Sequence, residues 1–441
     1  MLPWMLKLKE KYGDVFTIYL GSRPFVVVTG YDAVKEVYVD RGDDFLARGD
    51  LLLLDTLYNN YGVVFTADVE RWRELRRFSM ATLRNLGAGK RKTEDYVLEE
   101  TQFLVDELNK NKGSFFNPQH LMSKVSGNII HLIMFGNRQG YDDKEFNSML
   151  HCIQEILFLF STGSGQLLGM FPRIMYFLPG KHQKVISSLE ELLKYVKRKL
   201  EINRKMLDKN NPRSYVDAFL IKMEEDRKQQ TEYSLPNLEC STLQIFMAGV
   251  ETTSATLTYA LLILMKYPNV LAKVCSEIDH VIGHDRIPKV QDQYQMPYTT
   301  AVLHEIHRFT DILPMGVPRK TTKGLEFRGY FLPKGTNVYP LLTSVLKDPT
   351  CFLYPNEFNP ENFLDEYGEF KKNPAFMPFG AGKRNCMGET LSRMEIFIVL
   401  ITILQNFKLK SEVPGEDLDI NPKASGFGNI PKPFKISFIP R

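Results

Sequence analysis

The stretch from Ser234 to Tyr267 constrains the fold more than any other part of this chain. Ser234-Leu235-Pro236 offers a capping hydroxyl followed by a proline in the first turn, which is a helix start, and Pro268 stops the pattern. About 30 residues at 1.5 Å rise make a rod of roughly 45 Å, the width of a molecule this size. Its middle, Ile245–Leu264, carries few charges, so the rod has to pass through a core. A chain of 441 residues, 44% hydrophobic and 24% charged, has the material to bury it and is not disordered.

Helical patterning dominates from about Asp68 to Ile282, with Asp68–Leu83, Phe146–Phe160 and the charged amphipathic segment Gln183–Asp208 as candidates. Val270–Ile282, Tyr298–Phe309 and the apolar Met387–Phe407 follow. Val15–Leu20 and Phe25–Thr29 flank Gly21-Ser22-Arg23-Pro24 and read as a hairpin, and Leu325–Leu341 reads as a second β region turning at Gly329 and Pro333-Lys334-Gly335. Lys347–Pro378 is rich in Pro and Asn and too long for an ordinary connection. A short β-like tail ends the chain. No repeat or low-complexity linker divides it. The expected architecture is one body over residues 1–441, mainly α with a smaller β-rich portion (α+β).

Several function classes drop out. Lys+Arg 56 against Asp+Glu 52 gives +4, too little for wholesale nucleic-acid binding. No run approaches 18 uninterrupted apolar residues, and Met1–Lys11, with Trp4 and four charges, is not a signal peptide. The five cysteines are odd in number, far apart and never in a CxxC pair. Disulfide frameworks, zinc ribbons, thioredoxin-like sites and c-type haem attachment are disfavoured, and the environment is expected to be reducing and cytosol-facing.

The densest chemistry lies at Phe379-Gly380-Ala381-Gly382-Lys383-Arg384-Asn385-Cys386-Met387-Gly388. Three glycines let the backbone turn tightly, and Cys386 stands just ahead of an apolar helix whose N–H groups favour a thiolate. A lone thiolate is a poor zinc site but suits a metal whose other ligands belong to a cofactor, such as haem iron. The plain alternative is an ordinary buried cysteine, which is how Cys152, Cys240, Cys275 and Cys351 read. The glycines do not complete a dinucleotide loop or a phosphate loop.

Phe379, Gly382, Arg384, Cys386 and Gly388 spell F-x-x-G-x-R-x-C-x-G, and with them the chain resembles the cytochrome P-450 superfamily of haem-thiolate monooxygenases. The resemblance covers nearly the whole chain and is closest to microsomal, drug- and lipid-oxidising members of the second family. It implies the cytochrome P-450 fold, haem b, Cys386 as axial ligand, Phe379 beside the sulfur and Arg384 paired with a propionate. On the long helix, Ala248-Gly249-Val250-Glu251-Thr252 places an acid and an alcohol in apolar surroundings, which needs a reason. One is that Glu251 reaches solvent and Thr252 back-bonds to the preceding turn. By resemblance this is the oxygen-activation site. Ala248 and Gly249 would leave room over the iron, Thr252 would supply a hydrogen bond and Glu251 would relay protons.

Glu305 and Arg308 share a helix face at i,i+3, and the resemblance makes them a structural lock on the proximal side of the haem. Its third partner would come from Pro360-Glu361-Asn362-Phe363, with Asn362 where relatives carry Arg or His. Trp72 and Arg76, at i,i+4, would reach the propionates, as would Arg319. The neighbouring stripe, Arg73 and Arg77, reads either as a solvated face or as a basic patch that docks an acidic flavoprotein reductase, with Lys383, Arg84, Lys371 and Lys372 as further members.

Segments that line the pocket in relatives correspond to Leu54–Val64, Leu157–Thr162, Gln244–Thr252, Ile312–Val317 and Gly426–Ile430. Leu54, Phe158, Phe246, Ile312, Leu313 and Phe427 are the expected wall, and such a wall takes a lipophilic small molecule. The implied activity is oxygen insertion with electrons from NADPH through a flavoprotein reductase. A haem-thiolate isomerase that uses no oxygen and a non-catalytic haem sensor are the alternatives. The implied location is the cytosolic face of the endoplasmic reticulum. Relatives begin with a membrane anchor, whereas Met1-Leu2-Pro3-Trp4 is expected to lie already inside the folded domain. Peripheral association is the expectation without that anchor, and apolar residues within Gly163–Leu178 would either dip into a bilayer or cap the core.

Overall fold

A computed structural model describes residues 2–21, 23–51, 54–55, 58–86, 91–226 and 231–441. The rod is a helix over Leu235–Lys266. Ser234 occupies the N-cap position without a side-chain capping bond. The helix start is secured instead by Asn237, which donates to Glu232 O (2.8 Å) and accepts from Gly62 N (3.0 Å). Pro268 ends the rod and begins the next helix, Pro268–Val281. Every residue from Val250 to Met265 except Thr252 is buried. The helix is long and apolar enough to cross a bilayer, yet 78% of its most apolar window is covered by the rest of the chain. Its apolarity therefore serves the interior.

The rod packs most extensively against the helix Gln119–Phe135. Gly249 permits that approach, since a Cβ there would lie 3.0 Å from Ile130 Cγ1. Around this pair lie Arg91–Lys110, Lys144–Phe160, Gln183–Lys205 and Glu389–Asn406. Val69–Asn85 is capped by Asp68, whose carboxylate accepts from Glu70 N (3.0 Å) and Arg71 N (3.1 Å). A short helix at Leu2–Tyr12, absent from the sequence reading, precedes the hairpin.

The first seven of the eleven strands among the described residues form the main β-rich portion. They are β1 Val15–Leu20, β2 Arg23–Val28, β3 Ala47–Arg48, β4 Arg319–Lys320, β5 Leu325–Phe327, β6 Tyr330–Leu332 and β7 Asn337–Pro340. β1 and β2 make the expected hairpin, with Val15 opposite Val28 and Leu20 opposite Arg23; Ser22 of its turn lies outside the described residues. β2 continues in parallel with β7, and the sheet runs β1-β2-β7-β4-β3. The β3–β4 pairing sets Arg48 directly opposite Arg319. Phe407–Ser411 pairs with Ile436–Pro440 in the tail.

The irregular stretch after Lys347 is organised by one guanidinium. Arg308 is fully buried and grips Glu305 with two hydrogen bonds, Nε to Oε2 (2.6 Å) and Nη2 to Oε1 (2.7 Å). It also donates to the carbonyls of Leu346, Tyr354, Pro355 and Glu357, backbone acceptors that loop residues cannot satisfy among themselves. Asn362 takes the third place as a neutral group: its amide donates to Glu305 Oε1 (3.2 Å) and to Tyr354 O (3.2 Å), and its carbonyl accepts from Tyr354 N (2.9 Å). Arg308→Met would strand the Glu305 charge and free four carbonyls. A loss of about 3–5 kcal/mol is expected from a broken buried pair, against about 1 kcal/mol for Asn362→Ala, both read from denaturant midpoints.

Candidate active site

The loop before the last long helix is shaped by glycine. Gly380 and Gly382 both have φ +69°, and a Cβ on Gly382 would fall 1.8 Å from Tyr38 O. No other residue fits there. The turn brings Cys386 N back to donate to Phe379 O (2.9 Å). Gly388 stands at the start of Glu389–Asn406, its absent Cβ 3.9 Å from Cys386 Sγ. The Phe379 ring meets His307 edge-on at 5.0 Å and lies under the Arg393 guanidinium at 5.1 Å.

Cys386 keeps an exposed surface although protein is packed closely around it. The Gly388 and Glu389 N–H groups hydrogen-bond its sulfur, as the helix start predicts. Burial nevertheless outweighs them and raises the thiol pKa. The helix start alone does not produce a thiolate here. A cation bound on the sulfur would.

Four arginines converge near this cysteine. Arg48, Arg319 and Arg384 are buried and Arg76 is half-buried. Arg48 Nε donates to Val64 O (2.9 Å), Arg384 Nε to Leu46 O (2.9 Å) and Arg76 Nη2 to Asn385 Oδ1 (2.6 Å). Trp72 lies against two of them, 4.4 Å from Arg384 and 5.8 Å from Arg76, while Arg319 lies over Tyr38 at 4.9 Å. Among the described residues, Arg319 Nε and Arg384 Nη1 are buried without any partner, and no carboxylate acts on any of the four. Burial, then repulsion from the neighbouring arginines, holds Arg48 and Arg384 well below the usual guanidinium pKa. Burial lowers Arg319 and Arg76 as well, and the Cys386 sulfur opposes the shift at Arg76. Buried cations without counter-charges are costly, so an anion with several acceptor oxygens belongs among them. Arg48 carries no motif and is not found by reading the sequence; the pairing of β3 with β4 brings it here.

On the long helix, Gln244, Met247, Ala248, Glu251 and Thr252 face a cavity of about 260 Å³. That is the i, i+3, i+4, i+7, i+8 stripe of one helix face. Thr252 lines the cavity and donates its hydroxyl to Ala248 O (2.7 Å). Glu251 is buried rather than solvated. Its Oε2 has no partner, and burial pushes its pKa up to about 8. Gly249 faces Ile130 and is not part of the cavity wall. Gln244 instead braces the neighbouring loop: Oε1 accepts from Val64 N (2.8 Å) and Nε2 donates to Tyr61 O (3.0 Å). Gly62, at φ +88°, has no room for a Cβ beside that amide.

Leu54, Leu313 and Phe427 line the cavity, but the other three expected wall residues do not. Phe246 lies two residues from Gln244, so the helical period turns it away, against His131 (6.0 Å) and Phe135 (5.9 Å). Phe158 sits beneath Lys423 at 4.6 Å while its neighbours Leu157 and Phe160 face inward. Ile312 is buried with its carbonyl accepting from Asn429 N (2.9 Å). Tyr58 and Phe65, not singled out by sequence, complete the aromatic wall. Thr56 and Leu57 of the same segment lie outside the described residues.

Among the described residues, no three His, Cys, Asp or Glu side chains are grouped to hold a metal ion. His304 donates from Nδ1 to Thr300 O (2.7 Å) and accepts Arg393 Nη1 at Nε2 (2.9 Å), so it is a neutral packing residue; burial and Arg393 hold its pKa at about 4. A metal at this site has to arrive with ligands of its own. An accessible cysteine, arginines awaiting carboxylates and an apolar cavity beside an acid–alcohol pair fit an iron porphyrin, and define a haem-thiolate monooxygenase. The Cytochrome P450 family matches residues 2–438, and the chain belongs to that family. Cytochrome P450 2G1 from Oryctolagus cuniculus is 48% identical over 437 residues, 99% of this chain and 88% of that protein. Cytochrome P450 2A6 from Homo sapiens is 48% identical over 438 residues with the same coverage. Family members bind haem b through a cysteine thiolate.

The protonated Glu251 makes stability depend on pH. The folded chain holds this proton up to about pH 8, whereas an unfolded glutamate loses it near 4.3. Between those values the folded state binds more protons, so stability falls as pH rises. Glu395, buried and also held at about 8, acts in the same direction. Buried His131 and His304, held neutral with pKa values of about 4, and His307, also lowered, act the opposite way below about pH 6.5. The unfolding midpoint of the haem-free chain should therefore decline from pH 7 to pH 8, and Glu251→Gln should flatten that slope.

Proposed function

We propose that this chain inserts one atom of O2 into a lipophilic small molecule, the other oxygen leaving as water, with two electrons drawn from NADPH through a flavoprotein reductase. In this reading residues 1–441 act as one domain, and Cys386 holds the haem iron. The observation that carries it is the set of arginines without counter-ions. Arg48, Arg76, Arg319 and Arg384 would take the two propionates, with Trp72 packed against two of them. Bound haem supplies the oxidation; the chain supplies binding, proton delivery and a dry cavity.

Thr252 and Glu251 are assigned the proton work. Glu251 is neutral at pH 7 and can give up a proton that the apolar wall cannot, and the Ser254 hydroxyl hydrogen-bonds it from the next turn. The Thr252 hydroxyl, bonded only to a carbonyl of its own helix, can turn toward the cavity. This intact pair argues against an isomerase that consumes no oxygen.

The reductase would dock on exposed cations. Arg73, Arg77, Arg84, Lys371, Lys372 and Lys383 are all exposed. Arg73 already pairs with Glu70 (2.5 Å) and Lys383 with Asp43 (2.6 Å), but surface pairs of this kind contribute little and exchange readily. The proposed location is the cytosolic face of the endoplasmic reticulum. Of the apolar residues in 163–178, Leu168 is buried and Met170 lines the cavity, while Leu167, Phe171 and Phe177 are exposed beside Ile174, Tyr176 and Leu178. That surface supports peripheral insertion.

Cys386→Ser should abolish the reduced carbon monoxide band of haem-thiolate iron; a retained band removes Cys386 from its role. Arg319→Met should act in opposite directions on two measurements. Haem retention after gel filtration should fall about tenfold, the scale of one lost charge-assisted bond, while the haem-free chain unfolds no more easily than the parent.

A further inference from the structure

We propose that the Tyr58 hydroxyl is the hydrogen-bond donor that orients the substrate, and that the cavity takes a compact lipophilic molecule carrying one hydrogen-bond acceptor. The proposal rests on the monooxygenase reading and specifies its substrate class. It follows from an inventory of polar groups along the cavity wall. The Gln244 amide is committed at both ends to Val64 and Tyr61. Asp50 is committed to Lys320 and to Asn337 Nδ2 (3.0 Å). The Thr252 hydroxyl and the Glu251 carboxyl are both assigned to proton delivery, with Thr252 resting on Ala248 O. Arg23 is exposed and Gln166 half-buried, so water can serve both, and Tyr339, the other phenol of the wall, stands on β7 with its ring against Phe25 (5.1 Å) and feels the Asp50 carboxylate.

Tyr58 differs from all of these. It is 5% exposed and lines the cavity. Its ring is stacked on Phe65 with centroids 6.0 Å apart and planes 10° apart, which fixes where the hydroxyl lies. Among the described residues that hydroxyl has one partner, Met247 Sδ at 4.0 Å, and a thioether is a weak acceptor. A buried phenol without a good acceptor is costly, and an arriving carbonyl or ether oxygen relieves the cost. Met247 and Thr252 both line the cavity, five residues and about 7.5 Å apart along the helix axis. A molecule held at Tyr58 by its oxygen therefore presents its far end to Thr252. The aromatic wall around it, Tyr58, Phe65, Phe160 and Phe427, suits a flat or bicyclic skeleton.

The test compares two ligands of one skeleton, tetralin and 1-tetralone, binding to haem-loaded protein, with dissociation constants read from the difference spectrum. Tyr58→Phe keeps the stacked ring and removes only the hydroxyl. It should weaken 1-tetralone about fivefold, the scale of one neutral hydrogen bond, and leave tetralin unchanged. An equal change for both ligands, or none for either, overturns the role of Tyr58. The carbon monoxide band is measured in the same samples, so loss of the haem-thiolate assignment is seen separately. A parent protein that keeps the band and responds to neither ligand overturns the apolar-cavity reading and this proposal together.

Discussion

Mutual repulsion among four guanidinium groups is the constraint around which the rest of the molecule is arranged. Arg48, Arg76, Arg319 and Arg384 reach one region from two short strands, a helix and the cysteine loop, and none meets a carboxylate. Backbone carbonyls and the Trp72 face soften the cost without neutralising the charge. In the proposed function an anionic cofactor would turn that deficit into binding energy, and cofactor affinity and chain stability would be linked quantities. The sulfur contributes at the other end of the same logic. Burial disfavours its charged form until a cation is placed on it.

The opposite arrangement holds beside the irregular stretch after Lys347. Glu305 and Arg308 satisfy one another completely, and the surplus donors of the guanidinium fasten a stretch with almost no secondary structure. With Asn362 as third member, the network carries one fewer charge than with Arg or His and still fills its hydrogen-bonding capacity. A fully satisfied buried network rigidifies its surroundings, and here it fastens that stretch to the helix whose His307 packs on the Phe379 ring. The sign of the two clusters differs for a reason: one is finished by the chain, the other by a guest.

Motif-bearing positions were legible in the amino-acid order because local backbone demands leave few alternatives. Gly382 has no substitute against Tyr38 O, and the 3.6-residue period with Pro236 and Pro268 marks the long helix within a residue or so. What stayed hidden depends on pairing or rotation. Arg48 enters the site only because a two-residue strand lies opposite Arg319. Phe246 leaves it because a helix has two faces, and assigning the whole segment Gln244–Thr252 to the cavity ignores which one turns inward. Gly249 reads as space for a ligand but serves helix packing against Ile130. The helix-start argument for Cys386 named a real influence and missed the larger one, desolvation.

The brace from Gln244 to the Tyr61–Val64 loop, with Asn237 holding Gly62 beside it, separates scaffold from furnishing. The main chain of that roof is tied down by residues that do not themselves touch a guest's reactive end, while Leu54, Tyr58 and Phe65 hang from it untethered to the brace. Selectivity can thus drift by exchanging pendant groups one at a time, each trial made on an unmoved ceiling, and a lineage of such chains can diversify its diet without relearning how to fold.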